Sequence, residues 1–366
     1  MALPDGFQTL SGGLAEQSFS ANKKTYQSFH PYLIAEIGVN HGGSMAEAQE
    51  MISLAAKAGA SAVKFQSYTA GKLAAPGYSP SYWDRNSEAT DSQFDLFSKY
   101  DKFTIKEFEQ LADFALENQV DFLSTPFDLE IAEELAPIVP AFKVASADIT
   151  NGPLIARLQQ FGLPLILSTG AASVEEIGGA ADRLSGHGAS VAFLHCVLNY
   201  PTLLSNANIQ GIRRLQEVLP RDFVVGYSDH VAPTSAGDMP SLQAAFLMGS
   251  AVIEKHFTND RAKIGNDHYH SADYDALRAF VDWMTEAREM MGSWNPNLEI
   301  QNSARTNARR RIFASQEISA GTVLTAANLV ALRANDGIEI SEWDGVLGKA
   351  PKRLIPAGEP LQWSDF

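Results

Sequence analysis

Eight short apolar runs recur along the first 256 residues: YLIAEIG (32–38), SAVKFQ (61–66), VDFLST (120–125), AFKVAS (141–146), LPLILST (163–169), SVAFLHC (190–196), DFVVGYS (222–228) and SAVIEKH (250–256). Their apolar residues run on instead of alternating, which marks strands buried on both faces. Between them lie amphipathic stretches with helical spacing, such as MAEAQEMISLAAKAGA (45–60) and IKEFEQLADFALENQV (105–120). Strands alternating with helices predict βαβ units and a parallel sheet. Eight such units favour an α/β fold closed into a (β/α)8 TIM barrel. The open doubly wound sheet stays as the other arrangement, because periodicity does not show closure.

The rhythm fails in three places. Residues 1–30 are polar and Gly/Ser-rich, and are expected to form an irregular or loosely docked arm. Residues 67–103 follow the second strand as a long connection rich in aromatics, Ser, Asp and Pro. So long a loop at the C-terminal end of a barrel strand is expected to serve function. After about residue 292 the stretch GSWNPNLEIQNSA reads as a linker. The segment beyond it has short strands, ISAG and IPAG turns and at most one short helix near 325–329, and reads as a small β-rich domain. The expected organisation is an arm over 1–30, a catalytic barrel over 31–292, a linker over 293–307 and a β-rich domain over 308–366.

Almost every predicted strand ends in polar groups that a core would not choose. These are Glu36 with Asn40 and His41; Lys64 and Gln66; Ser124 and Thr125; Lys143, Ser146 and Asp148; Ser168 and Thr169; His195; Ser228, Asp229 and His230; and Glu254, Lys255 and His256. Burying an unpaired polar group costs about 2–7 kcal/mol, so a ring of them at strand ends points to a barrel mouth built for chemistry. Lys64 and Lys143, with Ser168 and Ser228, suit a phosphate or carboxylate through charge-assisted hydrogen bonds. A lysine at a strand end also snorkels for purely structural reasons, and Glu36 pairs with a strand lysine in the structural reading. Histidines 195, 230 and 256, beside Asp229 and Glu254, suit a divalent metal if they converge. Neither HExxH nor a cysteine pair is present, so the zinc templates do not apply. Cys196, inside an apolar run, reads as a packing residue. The signatures of serine hydrolases, NTPases and dinucleotide folds are missing.

Composition narrows the classes further. Of 366 residues 45% are hydrophobic and 19% charged, which excludes a disordered chain. A net charge of −15 opposes general nucleic-acid binding. A single cysteine forbids an intrachain disulfide and suits a reducing compartment. The N-terminal sequence does not read as a signal peptide, and no apolar run is long enough to span a membrane, so a soluble cytoplasmic protein is expected.

At these residues the chain closely resembles the sialic acid synthase family (N-acetylneuraminate synthase-like). The resemblance runs through AEIGVNHGGS (35–44), AVKFQSY (62–68), STPFD (124–128), FKVASADITNGPL (142–154), LILSTGAASVEEI (165–177), LHCVLNYPT (194–202), VGYSDH (225–230) and VIEKHFTNDRAKIGNDH (252–268). The tail is similar to the family's antifreeze-like SAF domain through ISAG (318–321), NLVALRANDGI (328–338), LGK (347–349) and IPAG (355–358). Two positions depart from the pattern: Ala334 follows Arg333 where the family usually has proline, and Leu198 replaces a small polar residue.

The resemblance implies a TIM barrel that condenses phosphoenolpyruvate with N-acetylmannosamine or a related 2-acetamido sugar and water, with C–O cleavage, to a nine-carbon 3-deoxy-2-ketoacid and phosphate. It assigns His230 and His256 to a manganese or magnesium ion. It gives Lys64, Thr125, Lys143, Ser146, Ser168 and Ser228 to phosphoenolpyruvate, and Glu36, Asp148 and Asp267 to the sugar and the reacting carbons. Lys143 also stabilises the leaving phosphate, and Tyr200 lines the sugar site. Arg333 would reach the sugar from the SAF domain of a neighbouring chain in a domain-swapped homodimer. The alternatives are a legionaminic or pseudaminic acid synthase using a diacetamido-trideoxyhexose, and a catalytically silent sugar-binding or ice-interacting protein on the same scaffold. The intact ring of Glu36, Lys64, Lys143, His230, His256 and Asp267 argues against silence.

Overall fold

The computed structural model describes residues 17–83, 85, 88–265, 267–292 and 296–366. A hairpin, β1 (Ser18–Ala21) and β2 (Lys24–Gln27), precedes eight strands that coincide with the eight apolar runs. These are β3 (Tyr32–Gly38), β4 (Ala62–Ser67), β5 (Asp121–Pro126), β6 (Phe142–Val144), β7 (Leu165–Ser168), β8 (Val191–Cys196), β9 (Val224–Asp229) and β10 (Val252–His256). They pair in parallel and in chain order, and β10 closes on β3, so the sheet is a closed barrel rather than an open one. Helices follow the strands, with starts set by local capping. Ser44 caps Met45–Ala58, and Ser173 with Glu176 forms a capping box on Val174–Leu184. Among the described residues no helix is long and apolar enough to cross a membrane.

Alternation along each strand decides what faces the barrel interior. On β3 the inward series is Tyr32, Ile34, then Glu36; on β10 it is Val252, then Glu254 and His256; on β9 Val224, then Ser228. The lower layers are apolar, with Ala62, Leu123, Ile166 and Leu194 in one buried cluster. The polar residues occupy the layers at the C-terminal ends. The residues between them face the surrounding helices and pack there, as Leu33, Ala35 and Ile37 do.

The arm expected to be irregular is a docked hairpin over 18–27; residues 1–16 lie outside the described ones. Phe19 and Ala21 join the lower barrel cluster, and the Tyr26 ring lies tilted against Tyr32, their centroids 4.6 Å apart. Asn22 donates to Asp121 at 2.7 Å, and Gln17 accepts from the Val225 amide at 2.9 Å. Burying these aromatics closes the end of the barrel opposite the mouth. The long connection after β4 carries two helices, Ala70–Leu73 and Gln93–Tyr100, and folds over the mouth.

Residues 292–366 form a second unit with its own core of Ile312, Ile318, Leu324, Ile338, Val346, Ile355 and Leu361. Its strands β11 (Arg310–Ala314) and β12 (Leu329–Arg333) are antiparallel. Gly321 and Gly358, ending the ISAG and IPAG turns, take φ of +81° and +80°. One expectation fails here. Residues 325–328 make a turn capped by Asn328, and the short helix lies at Trp343–Val346 instead. Part of the expected linker is helical, at Asn302–Ala308.

Candidate active site

Glu36 is aimed into the barrel by a bulge: the β3–β4 register shifts between Glu36 and Gly38, and Gly38 has φ +56°. A side chain at Gly38 would be strained, and its Cβ would stand 3.2 Å from the Glu36 carboxylate and 3.3 Å from the Gln66 amide. Lys64 is 2.5 Å from Glu36 and donates to Thr125 Oγ1 at 3.1 Å. Across the barrel, Lys143 donates to Ser168 Oγ at 2.7 Å. Glu254 joins the two lysines, 3.7 Å from Lys64 and 3.8 Å from Lys143, and accepts from Ser228 Oγ at 2.9 Å. Both lysines are only 3% exposed.

Burial dominates the electrostatics. It pushes Lys143 below the ordinary lysine value despite the attraction of Glu254. For Lys64 the burial effect is outweighed by the Glu254 and Glu36 carboxylates, which hold it above that value. Burial lifts Glu36 to about 7 against the opposing charge of Lys64. The result is two cations held by two carboxylates and two hydroxyls, with Ser228 fixing Glu254, a preorganised anion cradle.

Beside the cradle sits a group of imidazoles. His230 Nδ1 donates to the Val197 carbonyl at 2.8 Å, which leaves Nε2 as its lone-pair nitrogen. The ring centroids of His230 and His256 are 5.2 Å apart. Asp267 Oδ2 lies 3.3 Å from His256 Nδ1, without the alignment of a hydrogen bond. Burial holds His256 well below its ordinary value, so the ring is neutral, and raises Asp267 to about 6. The neutral His256 ring beside a carboxylate, with His230 presenting Nε2 close by, fits a divalent metal. Asn40 fixes this loop: it accepts from the Asp267 amide at 3.2 Å and donates to Phe257 O and Ser271 Oγ. Tyr200 covers the group, 4.2 Å from the His230 ring, and Tyr82 and Trp83 of the long connection line the same cavity with Tyr269.

The cavity brings together Glu36, Lys64, Thr125, Lys143, Ser146, Ser168, Tyr200, Ser228, His230, His256 and Asp267. Asp148 does not line it; its carboxylate accepts from Asn151 at 2.9 Å in the turn beyond β6. Arg333 is exposed at the end of β12 in the second unit. Three strand-end residues belong elsewhere. His195 faces outward, where its Nε2 meets Ala207 O at 3.0 Å and its ring fills the space a side chain at Gly211 would need. Asp229 and Lys255 also face outward, as a fully buried pair 2.7 Å apart. Neither Asp229 nor His195 is therefore a candidate ligand. Cys196 is buried as expected, yet it faces inward and lines the cavity. The bridging role of Glu254, the Gln66 bond to Glu36, and the aromatic wall had no assigned function in the sequence.

The mouth also shapes the acid response. Burial lowers both His41, stacked on Phe103, and His268 to about 4 from the ordinary 6.5. The unfolded chain binds protons near 6.5 that the folded chain refuses until about 4. Their contribution to stability is therefore complete above 6.5 and is lost as the pH falls towards 4. Denaturant midpoints of the metal-free protein should drop between neutral pH and pH of about 5. A midpoint that stays level or rises would contradict the buried, neutral assignment.

The NeuB family model matches residues 51–296, and the SAF domain model matches residues 309–366. The chain is 32% identical to an N,N'-diacetyllegionaminic acid synthase of Campylobacter jejuni, over 87% of this chain and 94% of that protein. It is 32% identical to an N-acetylneuraminate-9-phosphate synthase of Drosophila melanogaster, over 90% and 94% respectively. It also superposes on the N-acetylneuraminic acid synthetase of Leptospira borgpetersenii with a TM-score of 0.68 and 31% identity, covering 79% of this chain and 98% of that one. With a closed barrel whose mouth holds the paired lysines and histidines, and a C-terminal SAF domain, this chain belongs to the NeuB family of sialic acid synthase-type enzymes.

Proposed function

We propose that the enzyme condenses phosphoenolpyruvate with an open-chain 2-acetamido sugar and water, giving a nine-carbon 3-deoxy-2-ketoacid and phosphate. The observation that carries this is the cradle, in which two buried lysines tied through Glu254 stand beside His230, His256 and Asp267. Lys64, Thr125, Lys143, Ser146, Ser168 and Ser228 would hold the phosphate and carboxylate of phosphoenolpyruvate. His230 and His256 would hold one divalent ion, manganese or magnesium, which when bound supplies Lewis acidity to the aldehyde oxygen.

Carbon 3 of phosphoenolpyruvate would bond to the aldehyde carbon as the aldehyde π pair passes to its oxygen, which takes up a proton, and carbon 2 becomes electron-poor. Glu36, pushed up to about 7, can take a proton from the water that adds to carbon 2. The tetrahedral intermediate collapses by breaking the bond from carbon 2 to the phosphate oxygen. Lys64 and Lys143 stabilise the departing phosphate. Asp267 and Tyr200 would act at the sugar side, whereas Asp148, held by Asn151 outside the cavity, has no contact through which to join them.

The sugar is the finer question. The aromatic wall of Tyr82, Trp83 and Tyr200 favours a diacetamido-trideoxyhexose, whose deoxy carbons suit an apolar face. The domain-swapped homodimer is part of the proposal, with Arg333 of one chain reaching the sugar at the other's mouth. The single cysteine supports a cytoplasmic setting.

Mass spectrometry of the product from a panel of 2-acetamido and diacetamido sugars, run with phosphoenolpyruvate labelled with oxygen-18 in the bridging position, tests the reading. The expected result is a ketoacid from one sugar class, with the label leaving in phosphate. Label kept in the ketoacid excludes C–O cleavage, and no ketoacid from any sugar overturns the activity.

A further inference from the structure

His270 sits in the turn His268–His270 and is 0% exposed. Both of its ring nitrogens lack a hydrogen-bond partner among the described residues. A buried imidazole normally meets its needs, because each unsatisfied polar group costs about 1–3 kcal/mol. Other histidines obey this rule: buried His268 bonds Thr258 at 2.7 Å, buried His195 bonds Ala207 O at 3.0 Å and even half-buried His187 bonds Leu163 O at 2.8 Å. The exceptions are His256, with Nδ1 unsatisfied, and His270, and their ring centroids lie 4.7 Å apart.

Asp267 stands between these two rings, 3.3 Å from His256 Nδ1 and 3.9 Å from His270 Nε2. One donor atom from each of the three residues falls within 4.8 Å of the others. The His230 ring is 6.0 Å from the His270 ring, edge to face. A purely packing role for His270 against Tyr200 and Tyr269 would be met as well by phenylalanine, and would leave the unsatisfied nitrogens without purpose.

We propose that His270 and Asp267 join His256 and His230 as direct ligands of the divalent ion, making a donor set of three imidazoles and one carboxylate. This rests on the metal reading above and extends it from two ligands to four. Such a set favours a divalent transition ion, Co2+, Zn2+, Fe2+ or Mn2+, over Mg2+, which prefers carboxylate and water oxygens and binds imidazole weakly.

The test uses the metal-free full-length protein titrated with Co2+ and, separately, with Mg2+. In His270→Ala and in the better-packed His270→Phe, Co2+ affinity should fall at least about tenfold, the lower end of what even an outer-shell partner is worth, while Mg2+ affinity changes less. X-ray absorption of the Co2+-loaded wild type should count three imidazoles, a result that does not depend on either variant folding. Unchanged Co2+ affinity in the folded variants, or two imidazoles in the wild type, overturns the four-ligand proposal. If His256→Ala still abolishes binding in that case, the two-histidine site stands. A wild-type protein that binds neither ion overturns both.

Discussion

Replacing Lys143 with methionine should nearly abolish phosphate release from phosphoenolpyruvate. Methionine preserves most of the buried stem and removes only the cation. In the proposed reaction the lost charge is one of two that face the leaving phosphate, and it is held in place by Ser168 and Glu254. Removing a single preorganised donor of this kind costs on the order of 10²–10³ in kcat. The variant also leaves Glu254 with one cation fewer in a buried site, so some loss of stability is expected. Glu254→Gln added to Lys143→Met should recover stability and not turnover, which separates charge balance from catalysis. Lys64→Met should behave like Lys143→Met, with the added release of Glu36 from its 2.5 Å partner. Wild-type kinetics in both single variants would show that the lysines are structural.

His230→Ala and His256→Ala should each lose bound metal and activity while the barrel stays folded. The rings are at strand ends, and below them lies an apolar layer that neither substitution disturbs. Metal content by elemental analysis and far-ultraviolet circular dichroism measured on the same sample check this. His195→Ala is the control: it should keep its metal, because His195 faces Gly211 and Ala207 outside the barrel. Full occupancy in both the His230 and His256 variants would remove them from the site.

The fold was legible because buried parallel strands write themselves as unbroken apolar runs, and all eight runs are strands. The site was legible only in part, because a run of polar residues at a strand end points alternately in and out. Glu254 and His256 face the cavity, and Lys255 between them faces the helices. His195 shares the parity of Val191 and Phe193, and so turns away from the mouth. Applying that parity to the run SVAFLHC separates Cys196 from His195 without a structure. His270 has no such signal, since it lies in a turn where neither period applies. The Glu254 bridge depends on β10 being separated from β4 by one strand and lying opposite β6, a relation fixed by closure and not by local sequence. The hairpin did carry a signal: SFSA alternates, and Asn22 and Lys23 both take positive φ, as a two-residue primed turn requires.

The apolar layers below the mouth also set the traffic through the enzyme. With Ile34, Leu123, Ile166 and Leu194 filling the interior and Phe19 and Ala21 packed against that cluster, the barrel is a cul-de-sac rather than a tunnel. Reactants and products must share the mouth at the C-terminal ends of the strands. If the proposed anion site at Lys64 and Lys143 and the proposed sugar site between Tyr200 and Tyr82 both fill, the inner guest is expected to arrive first and the outer one to seal it in.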